Sequence, residues 1–471
     1  MQSRRTIADM RHPGSVAQTL RFGYLQQVVS LGAMFGFNLF VPAITGLDDF
    51  GRFTTAHGLL MLVTGLTGGG LDLVLTRDIR SPDGHVHQTL FWRALALRLA
   101  LSSATTLLAL SPWSPLHDVP LRSGIGVATL VACALAVATS SHCISVIIGA
   151  MAARQAALLS MLHSVPYFAL PLLLWGFEGR GPASLMKGVL WSYLGILVAE
   201  VWVLWRLSWS TSAPSPRLGS ILRAALAVSP NSLFESARTW GSVLLASYWL
   251  TPRDLGVART AFSIAAALVS LTPVPMQAMV SLGRQLEQAY QSSVRLADLL
   301  RHVSVLAALS AALAVVCYGM LMPASAAGSY AGCAAGALLL TAIGPITRLA
   351  LSLNIASANG RHTRLVLVCA LLAMPASAAG SLFFGPMGLL AGAALASMPV
   401  AGAMPAALRR RIAPAGATAF VIGSALAVAL VAAMTPPLWM LAALLVTLMI
   451  GYGIWQRSDL LALGSRDGTV P

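Results

Sequence analysis

The sequence predicts an all-α polytopic membrane protein with about fourteen transmembrane helices. Three observations predict it. Of the 471 residues 57% are hydrophobic and only 10% charged, where soluble domains carry about a quarter charged residues. Apolar runs close to the ~20 residues that cross ~30 Å of hydrocarbon recur along the chain. The connections between those runs alternate between rich and poor in arginine.

The runs lie roughly at 23–45, 53–74, 89–112, 124–151, 156–177, 184–206, 224–250, 257–281, 303–323, 331–355, 364–384, 386–408, 416–434 and 437–456. The first is about 22 residues long, more than a signal-peptide h-region, and no small-x-small cleavage site follows, so it is expected to stay as helix 1. Helix 2 carries Gly65, Gly68, Gly69 and Gly70, read as close-packing positions. Helix 4 contains Thr139, Ser140, Ser141, His142 and Ser145, and helix 5 contains His163; these are expected to hydrogen-bond between helices. Pro273 and Pro275 are expected kinks in helix 8, and Pro345 in helix 10. The run 386–408 is the weakest element, set off only by Gly385–Gly388 and broken by Pro399 and Pro405.

Orientation follows from the Lys/Arg bias of short loops. The N-terminal segment, the even-numbered connections and the C-terminal tail hold 21 basic residues, from Arg4 to Arg466. The opposite side holds six: Arg52, Arg122, Arg180, Lys187, Arg253 and Arg259. The richer side is assigned to the cytoplasm, with both termini there. Connections are short throughout; the longest, 207–223 and 282–302, read as a linker and a surface helix.

The net charge of +15 does not indicate nucleic acid, because the charges sit in short loops between apolar runs. The five cysteines fall inside apolar runs without CxxC or Cys/His spacing, so neither a metal site nor a disulfide is expected. No catalytic domain fits in the loops, and no cofactor is implied.

An internal repeat is legible. Gly46–Ala56 reads GLDDFGRFTTA and Thr251–Ala261 reads TPRDLGVARTA. Aligning Asp49-Phe50-Gly51 with Asp254-Leu255-Gly256 also aligns Thr55-Ala56 with Thr260-Ala261, at an offset of 205 residues. This divides the chain into a first six-helix half (1–206), a linker (207–223), a second six-helix half (224–411) and two further helices with a tail (412–471). Parallel repeats of this kind are a transporter architecture.

These motifs resemble the polysaccharide exporter family of the MOP flippase superfamily, the Wzx-type flippases. The matching residues are Leu47–Gly51, the glycine-containing acidic segment Gly68–Ile79, and Leu250–Gly256 after a helix that begins near Pro230. The resemblance extends over the whole chain as helix order. It implies two six-helix bundles in a pseudo-twofold, V-shaped arrangement plus two C-terminal helices. The chain departs from the pattern at Leu255, at Val257-Ala258, and in lacking an acid within Gly241–Leu250.

Ionisable groups inside the bilayer are costly, and each is a functional candidate. They are Asp72, Arg98, Glu200, Glu235, Arg238 and Arg348. One reading is snorkelling toward the interface, with Glu235 and Arg238 paired at i,i+3. The sharper reading is a cationic vestibule of Arg98, Arg238 and Arg348 that binds a diphosphate, with Arg98 and Arg238 the preferred pair. Asp72, Glu200, Glu235 and His142 are candidates for ion coupling.

The resemblance implies a non-enzymatic flippase moving an undecaprenyl-diphosphate-linked oligosaccharide across the bacterial inner membrane by alternating access. Its implied partners are that lipid-linked oligosaccharide, membrane lipids, and the polymerase and export machinery of the same pathway. The alternatives are a MATE-like small-molecule or cation antiporter, which calls for an acidic cavity, and a membrane-embedded glycosyltransferase or polymerase, which calls for a large external loop.

Overall fold

A computed structural model describes residues 35–80, 85–150, 153–210, 218–271, 294–356, 363–404, 409–410, 412–434 and 437–456, together with Leu25, Val29, Gly32 and Ala33. The chain is almost entirely helical. In order, the helices are α1 (Phe35–Thr45), α2 (Leu47–Asp78), α3 (Gln88–Ala109), the short α4 (Val119–Ser123), α5 (Val127–Gly149), α6 (Ala153–Phe177) and α7 (Pro182–Trp205). Then come α8 (Leu218–Ser236), a π-helical turn (Ala237–Gly241), α9 (Ser242–Ala246) and α10 (Pro252–Leu271). The last five are α11 (Val294–Leu321), α12 (Ala324–Ala356), α13 (Thr363–Gly402), α14 (Ala415–Ala433) and α15 (Leu438–Trp455). Among the described residues nine helices are long and apolar enough to cross a membrane, α13 counted once.

Helix α13 is two crossings. Its backbone breaks at Phe384 and at Gly385, whose φ of 57° lies in the left-handed region that glycine enters freely. Gly380 and Gly388 then face each other's carbonyls, and Gly392 faces the Ser377 backbone. That pairing makes α13 a tight helical hairpin, so the weakest predicted boundary is a real one.

Both repeat motifs are helical. Only Gly46, at φ 89°, separates α1 from α2, so Asp48 and Asp49 lie in the first turn of α2, where carboxylates favour the helix dipole. In the second motif Thr251 Oγ1 accepts the Asp254 amide at 3.1 Å and donates to Asp254 Oδ2 at 2.8 Å, which caps α10. The expected turns are therefore helix starts, displaced toward the N-terminus by about one and a half turns. Arg259, counted from the sequence with the arginine-poor side, lies inside α10 and is 3% exposed.

Three other expectations change. Pro230 does not open its helix but sits inside α8, which begins at Leu218. The 207–223 linker is ordered at both ends: Trp209–Ser210 pairs in parallel with Val86–His87, and 218–223 belong to α8, while 211–217 lie outside the described residues. Of the 282–302 surface helix, residues 294–302 form the start of α11, and the remainder, like Pro273 and Pro275, lies outside the described residues.

Four apolar cores hold the molecule. Two are built mainly from α1–α7, around Phe37, Phe50 and Phe53 at one end and Leu75, Leu90 and Val146 at the other. Two are built mainly from α8–α15, around Phe262, Tyr330 and Leu390 and around Phe234, Leu349 and Val366. Helix α2 packs against both α8 and α10. Its glycines allow this: a β-carbon at Gly65 would overlap Ser236, one at Gly69 would overlap Ser232, and one at Gly70 the Ala225 carbonyl.

Candidate functional site

The intramembrane charges gather in two clusters on either side of the glycine-rich part of α2. The first lies between α2, α3 and α5. Helix α3 turns Leu90, Ala94, Arg98, Ser102 and Thr106 inward, one residue per turn. Arg98 is fully buried and forms a two-pronged ion pair with Asp72, its second nitrogen donating to Asp72 Oδ2 at 3.1 Å. Ser145 donates to Asp72 Oδ1 at 2.9 Å. Gly68 leaves the space for the guanidinium, which a β-carbon there would occupy. One turn along, Thr67 and Ser102 share a hydrogen bond of 2.9 Å.

Next to this pair, Ser140 donates to Glu200 Oε1 at 2.7 Å; Glu200 is 1% exposed, and its Oε2 has no hydrogen-bond partner among the described residues. His142 is buried edge-on against Phe91, with ring centroids 4.9 Å apart, and lies within electrostatic range of Arg98. Ser140 and Ser145 thus serve the interhelical role expected of α5, whereas Thr139 donates to the Leu135 carbonyl of its own helix and the His142 ring nitrogens have no hydrogen-bond partner among the described residues.

The second cluster joins α8, α12 and α13. Arg238 occupies the π-helical turn, a local widening often found at functional positions. It donates to Glu235 Oε2 at 2.7 Å and to Ser397 Oγ at 3.4 Å. Arg348 lies within electrostatic range of both Glu235 and Arg238. Arg98 and Arg238 thus belong to separate clusters, each with its own carboxylate. In the first, Arg98 pairs with Asp72 beside Glu200; in the second, Arg238 pairs with Glu235 beside Arg348.

A third group was not singled out from the sequence. Arg259 stacks its guanidinium on Trp240 at 3.7 Å, and no carboxylate lies within ion-pair distance of it among the described residues. Trp240 meets His57 edge-on at 4.9 Å, and His57 Nε2 shares a hydrogen bond of 3.2 Å with the Tyr167 hydroxyl. Tyr167, Tyr193 and His163 continue as neighbouring rings, and His163 reaches Ser192 at 3.4 Å. The sequence signal was available: Arg259 is the fifth residue after Asp254 in a repeat whose first copy has Thr54 there. It was passed over because Arg259 was counted with the basic residues of the arginine-poor side.

The arginine-poor end is tied across the chain. Arg122 pairs with Asp118 at 3.0 Å, donates to the Ser247 carbonyl at 2.9 Å and covers the Tyr248 ring at 3.8 Å. Tyr248 in turn donates to the Pro115 carbonyl. Tyr318 donates to the Leu39 carbonyl at 2.6 Å, and Thr260 to the Asn38 carbonyl at 3.3 Å.

No family model matches the sequence, and no curated protein matches it. Solved structures do. A Vibrio cholerae MATE transporter, VcmN in its bent form, aligns with a TM-score of 0.54 at 16% identity, covering 85% of this chain and 97% of that one. An outward-facing multidrug resistance MATE family transporter of the MOP superfamily aligns with a TM-score of 0.52 at 15% identity, over 88% and 96%. A MATE protein in complex with MaD5 aligns at 0.53 and 16%, over 82% and 93%. At these identities the likeness concerns architecture. The chain is a polytopic membrane protein with many apolar helices and a MATE-like fold.

Proposed function

We propose that the protein moves an undecaprenyl-diphosphate-linked oligosaccharide across the bacterial inner membrane. It acts by alternating access between the part built on α1–α7 and the part built on α8–α13, and breaks no bond. Arg259 carries the proposal. A buried cation without a carboxylate is unfavourable in a low-dielectric interior and is relieved by an incoming anion. Arg238 and Arg348 add two further guanidinium groups beside Glu235. A diphosphate passing from Arg238 and Arg348 to Arg259 would meet bidentate donors at each stage. Trp240, Tyr167 and Tyr193 offer ring faces on which sugars pack. Arg98, neutralised by Asp72, holds α3 to α2 in this scheme and supplies countercharge only if Asp72 is protonated.

The second reading is a MATE-like antiporter of small molecules, favoured by the fold likeness. A cationic substrate wants free carboxylates; Asp72 and Glu235 are each engaged by an arginine, while Glu200, bonded to Ser140, has no cation within ion-pair distance among the described residues. The test reconstitutes the full chain in liposomes and follows movement of undecaprenyl-diphosphate-linked oligosaccharide alongside efflux of a cationic dye. Oligosaccharide movement that falls at least tenfold in Arg259→Ala and partly returns in Arg259→Lys is expected. Dye efflux with no oligosaccharide movement, or full activity in Arg259→Ala, overturns the proposal.

A further inference from the structure

A groove of about 260 Å³ opens between α11, α12, the end of α13 and the start of α14. It is separate from the charge clusters above, though Met398 on its wall directly follows Ser397, the residue bonded by Arg238. Leu339, Ile343, Val421 and Ile422 line its depth. Arg301 and Arg409 stand at one end. That end belongs to the arginine-rich side: α11 has risen only seven residues at Arg301, and Arg409 lies between α13 and α14.

The two arginines are held rather than free to swing away. Arg301 is paired with Asp298 at 3.3 Å and lies 3.1 Å from His302 Nε2. His302 is itself bonded to the Tyr452 hydroxyl at 2.9 Å. Arg409 donates to the Gly402 carbonyl at 2.6 Å and has no carboxylate within ion-pair distance among the described residues. Among the described residues the mouth holds Arg301, Arg409 and the single carboxylate of Asp298, and Arg410 adjoins it.

An apolar groove at the bilayer face of a membrane protein is filled by hydrocarbon, since water there would lose its hydrogen bonds. A guanidinium at the headgroup end of such a groove selects for a phosphate that carries net charge over one that is zwitterionic. We infer that this groove is a binding site for an anionic glycerophospholipid of the inner leaflet, with an acyl chain between α12 and α14 and its phosphate on Arg409 and Arg301. Bound there, the lipid braces the end of α13 that presents Ser397 to Arg238. The inference stands independently of which substrate is moved.

Native mass spectrometry of the detergent-purified full chain tests it, with phosphatidylglycerol and phosphatidylcholine of identical acyl chains as probes. One phosphatidylglycerol per chain should bind about tenfold more tightly than phosphatidylcholine. Arg409→Gln, at an exposed position and harmless to folding, should remove most of that preference. Ala342→Phe, which fills the groove and leaves both arginines, should remove the bound lipid of either kind. Equal affinity for the two lipids overturns the inference, as does an unchanged preference in Arg409→Gln. Displacement of phosphatidylglycerol by equimolar undecaprenyl phosphate, with the chain then holding only the latter, also overturns it and makes the groove a substrate path.

Discussion

Gly51 and Gly256 hold reciprocal places in the seam between α2 and α10. A β-carbon on Gly51 would overlap the carbonyl of Pro252, and one on Gly256 would overlap the carbonyl of Leu47. Adding the repeat offset of 205 to Gly51 gives Gly256, and adding it to Leu47 gives Pro252. The contact is thus its own image under a twofold rotation, as in an isologous interface. The repeat read from the sequence and the contact found in the fold are one feature.

Substituting either glycine should therefore loosen the same seam. Gly51→Ala and Gly256→Ala are each expected to cost about 1–3 kcal/mol through overpacking against backbone, read as a lower unfolding midpoint in detergent. Gly451→Ala, where nothing lies within 4 Å, is the control; there the helix should gain up to about 1 kcal/mol. A seam variant as stable as the control would contradict the close approach.

The Asp72–Arg98 pair makes a sharper demand, because Arg98 is completely buried. Asp72→Ala should destabilise by about 3–5 kcal/mol by stranding the guanidinium, while Asp72→Ala with Arg98→Met should cost distinctly less. Additive losses in that double-mutant cycle would mean that the two side chains do not interact.

Glu200 separates a structural role from a coupling role. Ser140→Ala removes the hydroxyl that Glu200 accepts and should cost about 1–3 kcal/mol. Glu200→Gln keeps a carbonyl oxygen for Ser140 and should leave stability near wild type. Loss of transport in that stable variant would assign Glu200 to ion coupling; unchanged transport would leave it as a helix tie.

At the arginine-poor end, Arg122 and Tyr248 should show a coupling of about 0.5–1 kcal/mol in a double-mutant cycle with alanine, the range for a partly exposed cation–π contact. If this end closes and opens during transport, Arg122→Ala should also change the rate of substrate movement more than it changes stability. A coupling near zero would show that the tie has no energetic role.

Much of the architecture was legible beforehand, for a physical reason. Spanning hydrocarbon demands long runs whose backbone bonds are satisfied within the helix, and that demand is written locally in apolar length. Among the described residues nine helices are long and apolar enough to cross a membrane, and one of them is the pair of runs divided at Gly385. Helix starts were less legible. The acidic motifs looked like turns because polar residues in a first turn resemble polar residues in a loop, and so Arg259, two residues into the expected helix, was counted with the arginine-poor side and not among the intramembrane charges. The π-helical turn around Arg238 left no sequence trace at all.

What the sequence determined by itself is the membrane class, the helical make-up and the internal repeat, since each depends on composition and spacing along one chain. What only the tertiary structure decided is the fate of each charge. Pairing energy depends on the through-space distance between groups and on their burial. Asp72 meets Arg98 across 26 residues of sequence, Arg238 meets Ser397 across 159, and Arg259 meets an indole instead of an acid.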